Sequence, residues 1–455
     1  MNRSLTFRAI LGPRGIERDR SIDIAEDGTI RTVRAGQAPY DGFLAVPGMP
    51  NAHSHIFQRA LAGFGEEARG GDSFWSWREA MYRLAGSITP EQLYAVARQG
   101  YARMLRGGFT HVAEFHYLHH GPGGHHGPGG DRGRETTEAV LGAAADVGLP
   151  LSLLPVYYRT SGLDGAKVLP EQRRFAHASV DDFLATVEGL GAAAAGLAPH
   201  SLRAVPPGDL TELVRGADAL LGPESPLHIH ISEQEAEVEE CLATLGRTPI
   251  DLLADTVDLG PRWNLVHATH ATAPERARMR GAGARVVLCP LTEAHLGDGI
   301  YPAREHFLAG GVVAIGTDAN VRLSAIEEAR QLEYGQRLRD RRRARLATEA
   351  GAGATLWSWL ARGGGEAVAG SRAAASAVGR IAPGCRADLV VLRGDAPNML
   401  GHGLNTVLDA WLVAGDERDI DAVYVAGERL VERGSVARAA EIEAGFAEAM
   451  RALWA

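Results

Sequence analysis

The sequence predicts an α/β protein, a parallel (β/α)8 or TIM barrel that carries a small β-sandwich domain built from both chain termini. Three observations predict it. From about residue 88 to about residue 320, apolar strand-like runs alternate with helical periodicity, the texture of parallel βα units. Counted with the run that ends at Pro47, the strand candidates number eight, the number that closes a barrel. Short strands separated by turns recur at both chain ends, before residue 48 and again near residue 378.

Composition sets the outer limits. A chain of 455 residues is too long for one simple core, which favours a large domain with a smaller one. With 45% hydrophobic and 23% charged residues it has the makeup of a folded globular protein rather than a disordered one. Acidic residues outnumber basic ones by 56 to 47, so no general positive field invites nucleic acid or an anionic membrane. No apolar run reaches about 18 residues, so no membrane span is expected. Cys241, Cys289 and Cys385 lie far apart without a CxxC pair, which argues against a disulfide framework or a thiolate zinc cluster and points to a reducing cytoplasm.

Taken in order, residues 1–47 contain strand candidates Leu5 to Leu11, Ser21 to Ile24 and Thr29 to Val33, with a turn at Glu26-Asp27-Gly28. The barrel is expected over 48–376. Its strand candidates are the run ending at Pro47, then Thr110 to Phe115, Leu151 to Val156, Gly196 to Pro199, Leu227 to Ile231, Asn264 to His267, Arg285 to Cys289 and Val312 to Ile315. Pro90 to Leu105 reads as a helix, and so does Ala325 to Ala347, where Arg341-Arg342-Arg343 would form a solvated face. Gly121 to Gly130, preceded by His119-His120, is too rich in Gly and Pro for regular structure and reads as a loop, a candidate mobile lid. Residues 377–455 return to strands at Ala387 to Leu392 and Val423 to Gly427 and end in a helix from Ala437 to Trp454.

The chemistry-bearing residues gather at predicted strand ends, where barrel enzymes place their sites. His53 and His55, two apart on an extended chain, face the same side and can share one metal ion. Beyond Leu227 come His228, His230 and Glu233; beyond Val266 come His267 and His270; beyond Ile315 come Thr317 and Asp318. A single His or Asp at a strand end is commonly a satisfied structural group. Imidazoles and a carboxylate at several strand ends together form a coherent site for a divalent ion.

These residues, with Gly316-Thr317-Asp318 and Pro383-Gly384-Cys385-Arg386-Ala387-Asp388-Leu389, resemble the amidohydrolase superfamily over nearly the whole chain. The fourth strand end, Ala198-Pro199-His200-Ser201, offers no lysine, so the resemblance implies the branch with one metal ion. The stretches around His53-Ser54-His55-Ile56-Phe57-Gln58, Phe74-Trp75-Ser76-Trp77-Arg78, Glu114-Phe115-His116-Tyr117, Pro199-His200-Ser201-Leu202-Arg203 and His230-Ile231-Ser232-Glu233 are similar to members that hydrolyse N-formimidoyl-L-glutamate to N-formyl-L-glutamate and ammonia in histidine degradation. That resemblance implies His53, His55, His230 and Asp318 as ligands of one divalent ion, with zinc expected, and Gln58, Arg78, Tyr117, His200 and Arg203 as substrate-binding residues. It also implies a homodimer, and the cysteine usage a cytoplasmic one.

Elementary chemistry fits those assignments. Hydrolysis of a C=N carbon at neutral pH needs an activated water, which a divalent ion supplies. Asp318 is placed to accept the water proton, Glu233 to protonate the imino nitrogen, and His267 to stabilise charge at the reacting carbon. A dicarboxylate substrate calls for two fixed cations, and Arg78 and Arg203 suit it because guanidinium binds carboxylate bidentately. Stacking within its aromatic run is the structural alternative for Arg78. His228 reads as lying one layer below His230, and His270 as lying past the strand end. The competing readings are an aminohydrolase of a guanine- or triazine-like substrate, a catalytically inactive barrel that binds a partner, and a histidine-rich metal store.

Overall fold

The computed structural model describes residues 3–64, 66, 74–121, 132–369 and 378–455. Strands β1 (Arg3–Gly12), β2 (Gly15–Ile24), β3 (Ile30–Ala35) and β4 (Gly42–Pro47) come from the N-terminal part. Strands β5 (Met49–Ser54), β6 (Phe109–His116), β7 (Leu151–Tyr157), β8 (Ala198–Pro199), β9 (Leu227–Ile231), β10 (Trp263–His267), β11 (Arg285–Leu288) and β12 (Val313–Ile315) follow. Strands β13 (Leu389–Leu392), β14 (Ile420–Val425), β15 (Glu428–Glu432) and β16 (Ser435–Val436) complete the chain.

The first and last groups form one eight-stranded sheet in the order β16-β15-β14-β13-β4-β1-β2-β3. The two chain ends are joined at β4, which runs parallel to β1 and antiparallel to β13, from Leu44↔Leu392 to Pro47↔Leu389. Residues of these strands, Phe7, Ile10, Ile22, Ala45, Leu389 and Val391 among them, bury against one another in a core separate from that of the barrel.

Strands β5 to β12 make the barrel. Two parallel four-stranded arcs, β5-β6-β7-β8 and β9-β10-β11-β12, meet at Leu197↔Leu227 and at Ser54↔Asp318. One expectation needs correction here. The strand ending at Pro47 is β4 of the outer sheet, and the first barrel strand is β5, which starts after Gly48. Only β4 is an apolar run, whereas β5, with Asn51, His53 and Ser54, is strand by its pairing with β6, so local pattern picks out the first and misses the second. Gly48 makes the crossing possible because a Cβ there would collide with the side chain of Thr110 on β6.

Two helical expectations also change. The helix after β12 ends at Asp340, where Arg341 turns left-handed at φ 54°, so Arg341-Arg342-Arg343 follows the helix instead of lying on it. The buried carboxylate of Glu333 turns the chain back by accepting the backbone N–H groups of Arg345 (2.9 Å) and Leu346 (2.8 Å). A second helix, Ala352–Ala369, escapes a propensity reading because Gly363, Gly364 and Gly365 lie within it. The reason for those glycines is contact: Gly363 presses on the backbone of β12 and Gly364 on Pro50 of β5, across the barrel floor. Trp357 of the same helix donates its indole N–H to the Pro47 carbonyl at 2.9 Å and ties barrel to sheet.

The terminal helix, Ala439–Leu453, packs on the helix Pro90–Arg106, with Glu441 accepting from Arg98 at 2.9 Å. His119 and His120 are buried, their Nε2 atoms 2.9 Å and 2.8 Å from the Val156 and Ala176 carbonyls. The lid expected over 121–130 lies almost wholly outside the described residues, as does the expected domain boundary at 376–377. Among the described residues no helix is long and apolar enough to cross a membrane.

Candidate active site

The C-terminal ends of the barrel strands bring four predicted residues to one point. His53 is the fifth residue of β5, His55 follows the strand, His230 sits in β9 and Asp318 lies three residues past β12. Their Nε2 atoms form a triangle: 3.1 Å from His53 to His55, 3.2 Å from His55 to His230 and 3.0 Å from His230 to His53. Asp318 Oδ1 lies 3.5 Å from His53 Nε2 and 3.3 Å from His55 Nε2.

Donor chemistry tests whether this cluster fits a cation. Burial, the largest influence, holds His53 and His230 below the usual histidine range and His55 down at about 3, so all three rings are neutral at pH 7. The Nδ1 atoms of His55 and His230 are 3.0 Å from the Phe115 and His200 carbonyls, which fixes the proton on Nδ1 and leaves each Nε2 with a lone pair. Converging lone pairs repel unless a positive ion lies between them. Ligands at about 2.0–2.1 Å around a tetrahedral ion would stand about 3.3 Å apart, near the observed spacing. Asp318 adds the fourth ligand and a negative charge; burial alone would raise its pKa, but the imidazoles of His53 and His267 hold it well below the usual carboxylate range.

Beside this cluster stand the predicted proton-handling groups. His267 Nε2 is 3.9 Å from Glu233 Oε1 and 3.7 Å from Asp318 Oδ2, and its Nδ1 is 3.3 Å from Glu293 Oε1. Burial by itself would strip the proton from His267, yet the carboxylates of Glu233, Glu293 and Asp318 hold its pKa up at about 10. Burial raises the pKa of Glu233 against the opposing charges of His267 and Arg203. Ser232, His267 and Asp318, each just at or past a strand end, adopt positive φ values of 48°, 67° and 44°. Such backbone is costly for these residue types and persists where surrounding contacts dictate it. At Asp318 those contacts are visible: Asn51 Nδ2 donates to Thr317 Oγ1 (2.7 Å), Thr317 Oγ1 donates to Asn320 Oδ1 (2.6 Å), and Asn320 Nδ2 donates to the Asp318 carbonyl (2.8 Å).

A cavity of about 1140 Å³ opens over the cluster and is lined by all five predicted substrate residues, Gln58, Arg78, Tyr117, His200 and Arg203. Gln58 Nε2 donates to Tyr117 Oη at 2.8 Å, and burial keeps that phenol protonated, so it can donate in turn. Burial, helped by the charge of Arg203, keeps His200 neutral. Arg203 is half-buried, with a terminal nitrogen 3.9 Å from Glu233 Oε2. Arg78 donates from Nε to Tyr82 Oη at 2.7 Å, with its guanidinium carbon 5.1 Å from the centre of that ring, so it both stacks and lines the cavity. His228 lies in the floor, with Nε2 3.2 Å from the Ala367 carbonyl, and His270 lies on the cavity wall, with Nε2 2.9 Å from the Asp298 carbonyl.

Several site residues were not found in the sequence. Glu293 begins no motif and becomes visible only against His267. Tyr82 and Tyr158 line the cavity, and behind them the fully buried Gln172 donates from Nε2 to Tyr82 (3.1 Å) and Tyr158 (2.8 Å). Asp298 is buried in the cavity, where burial and the charge of Glu233 push its pKa up to about 9.

A barrel with three converging imidazoles and an aspartate at its C-terminal mouth belongs to metal-dependent hydrolases, and comparison places the chain among them: residues 44–430 match the Amidohydrolase family, and the protein belongs to that family. It is 42% identical over 441 residues, 94% of each chain, to the formimidoylglutamate deiminase of Pseudomonas aeruginosa. It is 28% identical to the 8-oxoguanine deaminase of the same species, over 91% of this chain and 90% of that one. The crystal structure of an amidohydrolase from Brucella melitensis matches with a TM-score of 0.89 at 40% identity, covering 99% of this chain and all of the other.

Proposed function

We propose that the protein hydrolyses N-formimidoyl-L-glutamate to N-formyl-L-glutamate and ammonia, the reaction named by its 42% identical relative. One observation carries this reading: a half-buried guanidinium, Arg203, stands beside Glu233 in the cavity that His55, His230 and Asp318 of the metal-ligand cluster also line, so an anionic tail and a reacting carbon fit together. Arg78 supplies a second guanidinium on the same cavity wall, as a second carboxylate requires.

His53, His55, His230 and Asp318 would hold the divalent ion, which when bound supplies a Lewis acid that makes water a competent nucleophile at neutral pH. Zinc suits three imidazoles and one carboxylate. The protein groups then divide the proton work. Asp318 Oδ2 accepts a proton from the attacking water. Glu233, whose burial favours its protonated form, gives a proton to the imino nitrogen; the proton taken up by Asp318 then passes to the departing nitrogen while the hydroxyl proton of the adduct returns to Glu233, so ammonia leaves as the formyl C=O forms. His267, held protonated by three carboxylates, stabilises negative charge at the addition centre. Tyr117 and His200 orient the amidine by neutral hydrogen bonds. The reading also includes a homodimer in the cytoplasm, working in histidine breakdown.

The direct test is ammonia release by the zinc-loaded protein from N-formimidoyl-L-glutamate, with N-formimidoyl-L-aspartate and guanine alongside. Release from the glutamate compound well above the other two is expected. Release from guanine alone would replace this reading with a nucleobase deaminase.

A further inference from the structure

A second, smaller cavity of about 230 Å³ lies where the turn after β5, the end of the helix Pro90–Arg106 and the start of the helix Ala325–Asp340 meet. We propose that this cavity, which is lined by Arg59, Arg103, Arg106, Arg322 and Ser324, binds a phosphate-type oxyanion. Two carboxylates, Glu327 and Glu417, also line it, so four guanidiniums leave two positive charges, enough to balance one dianion. Glu327 is engaged by Arg322 through both of its oxygens. Arg103 and Arg106 form no ion pair among the described residues. They lie in the last turn of their helix and offset its dipole there, but that accounts for neither Arg59 nor Ser324.

Ser324 is the independent observation. It occupies the N-cap of a 16-residue helix, a position where serine ordinarily accepts a backbone N–H, yet its side chain makes no capping bond. It is only 4% exposed, and its hydroxyl has no hydrogen-bond partner. A buried hydroxyl without a partner is costly, and an anion in the cavity would satisfy it. Arg59 Nε is likewise buried without a partner, while NH1 donates to the carbonyls of Asn320 (3.2 Å) and Val321 (2.9 Å). Guanidiniums from three separate elements, with a helix N-terminus on one side, suit a tetrahedral oxyanion better than a planar carboxylate.

The position gives the site a consequence. Arg59 follows the proposed substrate residue Gln58, and Asn320 and Val321 follow Asp318, so a bound anion would draw together the two segments that present those groups.

Isothermal titration of inorganic phosphate into the zinc-loaded full chain tests the proposal, with Arg103→Gln/Arg106→Gln and Ser324→Ala variants. The expected result is one phosphate per chain, with affinity reduced at least tenfold in the double variant and measurably in Ser324→Ala, while ammonia release without phosphate stays unchanged in both. A small phosphate monoester that displaces phosphate with equal or greater affinity would identify an organic phosphate as the occupant, and failure to displace it would identify the free ion. No saturable uptake, unchanged affinity in both variants, or tighter binding of succinate than of phosphate would overturn the proposal.

Discussion

Nδ1 of His267 lies 3.3 Å from Oε1 of Glu293, which also accepts the backbone N–H of Cys289 at 2.8 Å. The carboxylate therefore fixes the imidazole from behind, leaving Nε2 to face Glu233 and Asp318. Substituting Glu293→Gln keeps the shape and removes the charge that helps keep His267 protonated. The expected outcome is a loss of roughly 10- to 100-fold in kcat at unchanged metal content. A kcat within twofold of the parent would show that His267 needs no such support.

Glu233 is the group whose loss should separate metal binding from turnover. Glu233→Gln cannot carry the transferred proton, and a fall in kcat of about 10² to 10⁴ is expected, with one metal ion per chain retained. Metal analysis alongside steady-state kinetics checks both halves, and near-normal turnover would remove Glu233 from the acid–base role.

Arg203→Ala should act on substrate recognition. Truncating one partner of a buried charged contact costs about 2–5 kcal/mol, so a drop in kcat/KM of at least about 30-fold for the dicarboxylate is expected, with metal content intact. An unchanged specificity constant would sink the anchoring role, and the same measurement on Arg78→Ala would show whether the two guanidiniums contribute separately.

The pH dependence of stability follows from burial. Nine described histidines, His53, His55, His111, His116, His119, His200, His228, His230 and His306, have pKa values lowered chiefly by burial, so below about pH 6.5 the unfolded chain takes up protons that the native state refuses. Their contribution is complete above pH 6.5 and is lost as the pH falls towards their folded values. Four buried carboxyls with raised values, Glu114, Glu233, Asp298 and Glu328, work in the opposite direction above pH 4.5, but they are fewer. The melting midpoint of metal-free protein should therefore fall by on the order of 5–10 °C between pH 6.5 and 4.5. A midpoint that rises on acidification would contradict this balance.

The barrel and the metal cluster were legible because both are written locally. A strand is marked by a run of apolar residues, its end by a change of texture, and His53, His55, His230 and Asp318 all stand at or just beyond such ends. Even Gly316 of the Gly-Thr-Asp motif has a local signature with a contact behind it, since a Cβ there would lie 2.7–2.9 Å from the backbone and Cβ of His53.

What a residue faces across the barrel is not written locally. Asn51 and Thr317 are 266 residues apart in sequence and 2.7 Å apart in space, and nothing in either segment names the other. For the same reason only the tertiary structure decided that β4 leaves the barrel for the outer sheet, that Glu293 backs His267, and that Gln172 braces Tyr82 and Tyr158 on one wall. The sequence by itself determined which side chains stand at the ends of strands, because backbone alternation and periodicity are properties of neighbours in the chain. Folding decided which of those side chains meet, because closing a barrel pairs segments by packing and hydrogen bonding over distances that no local pattern encodes.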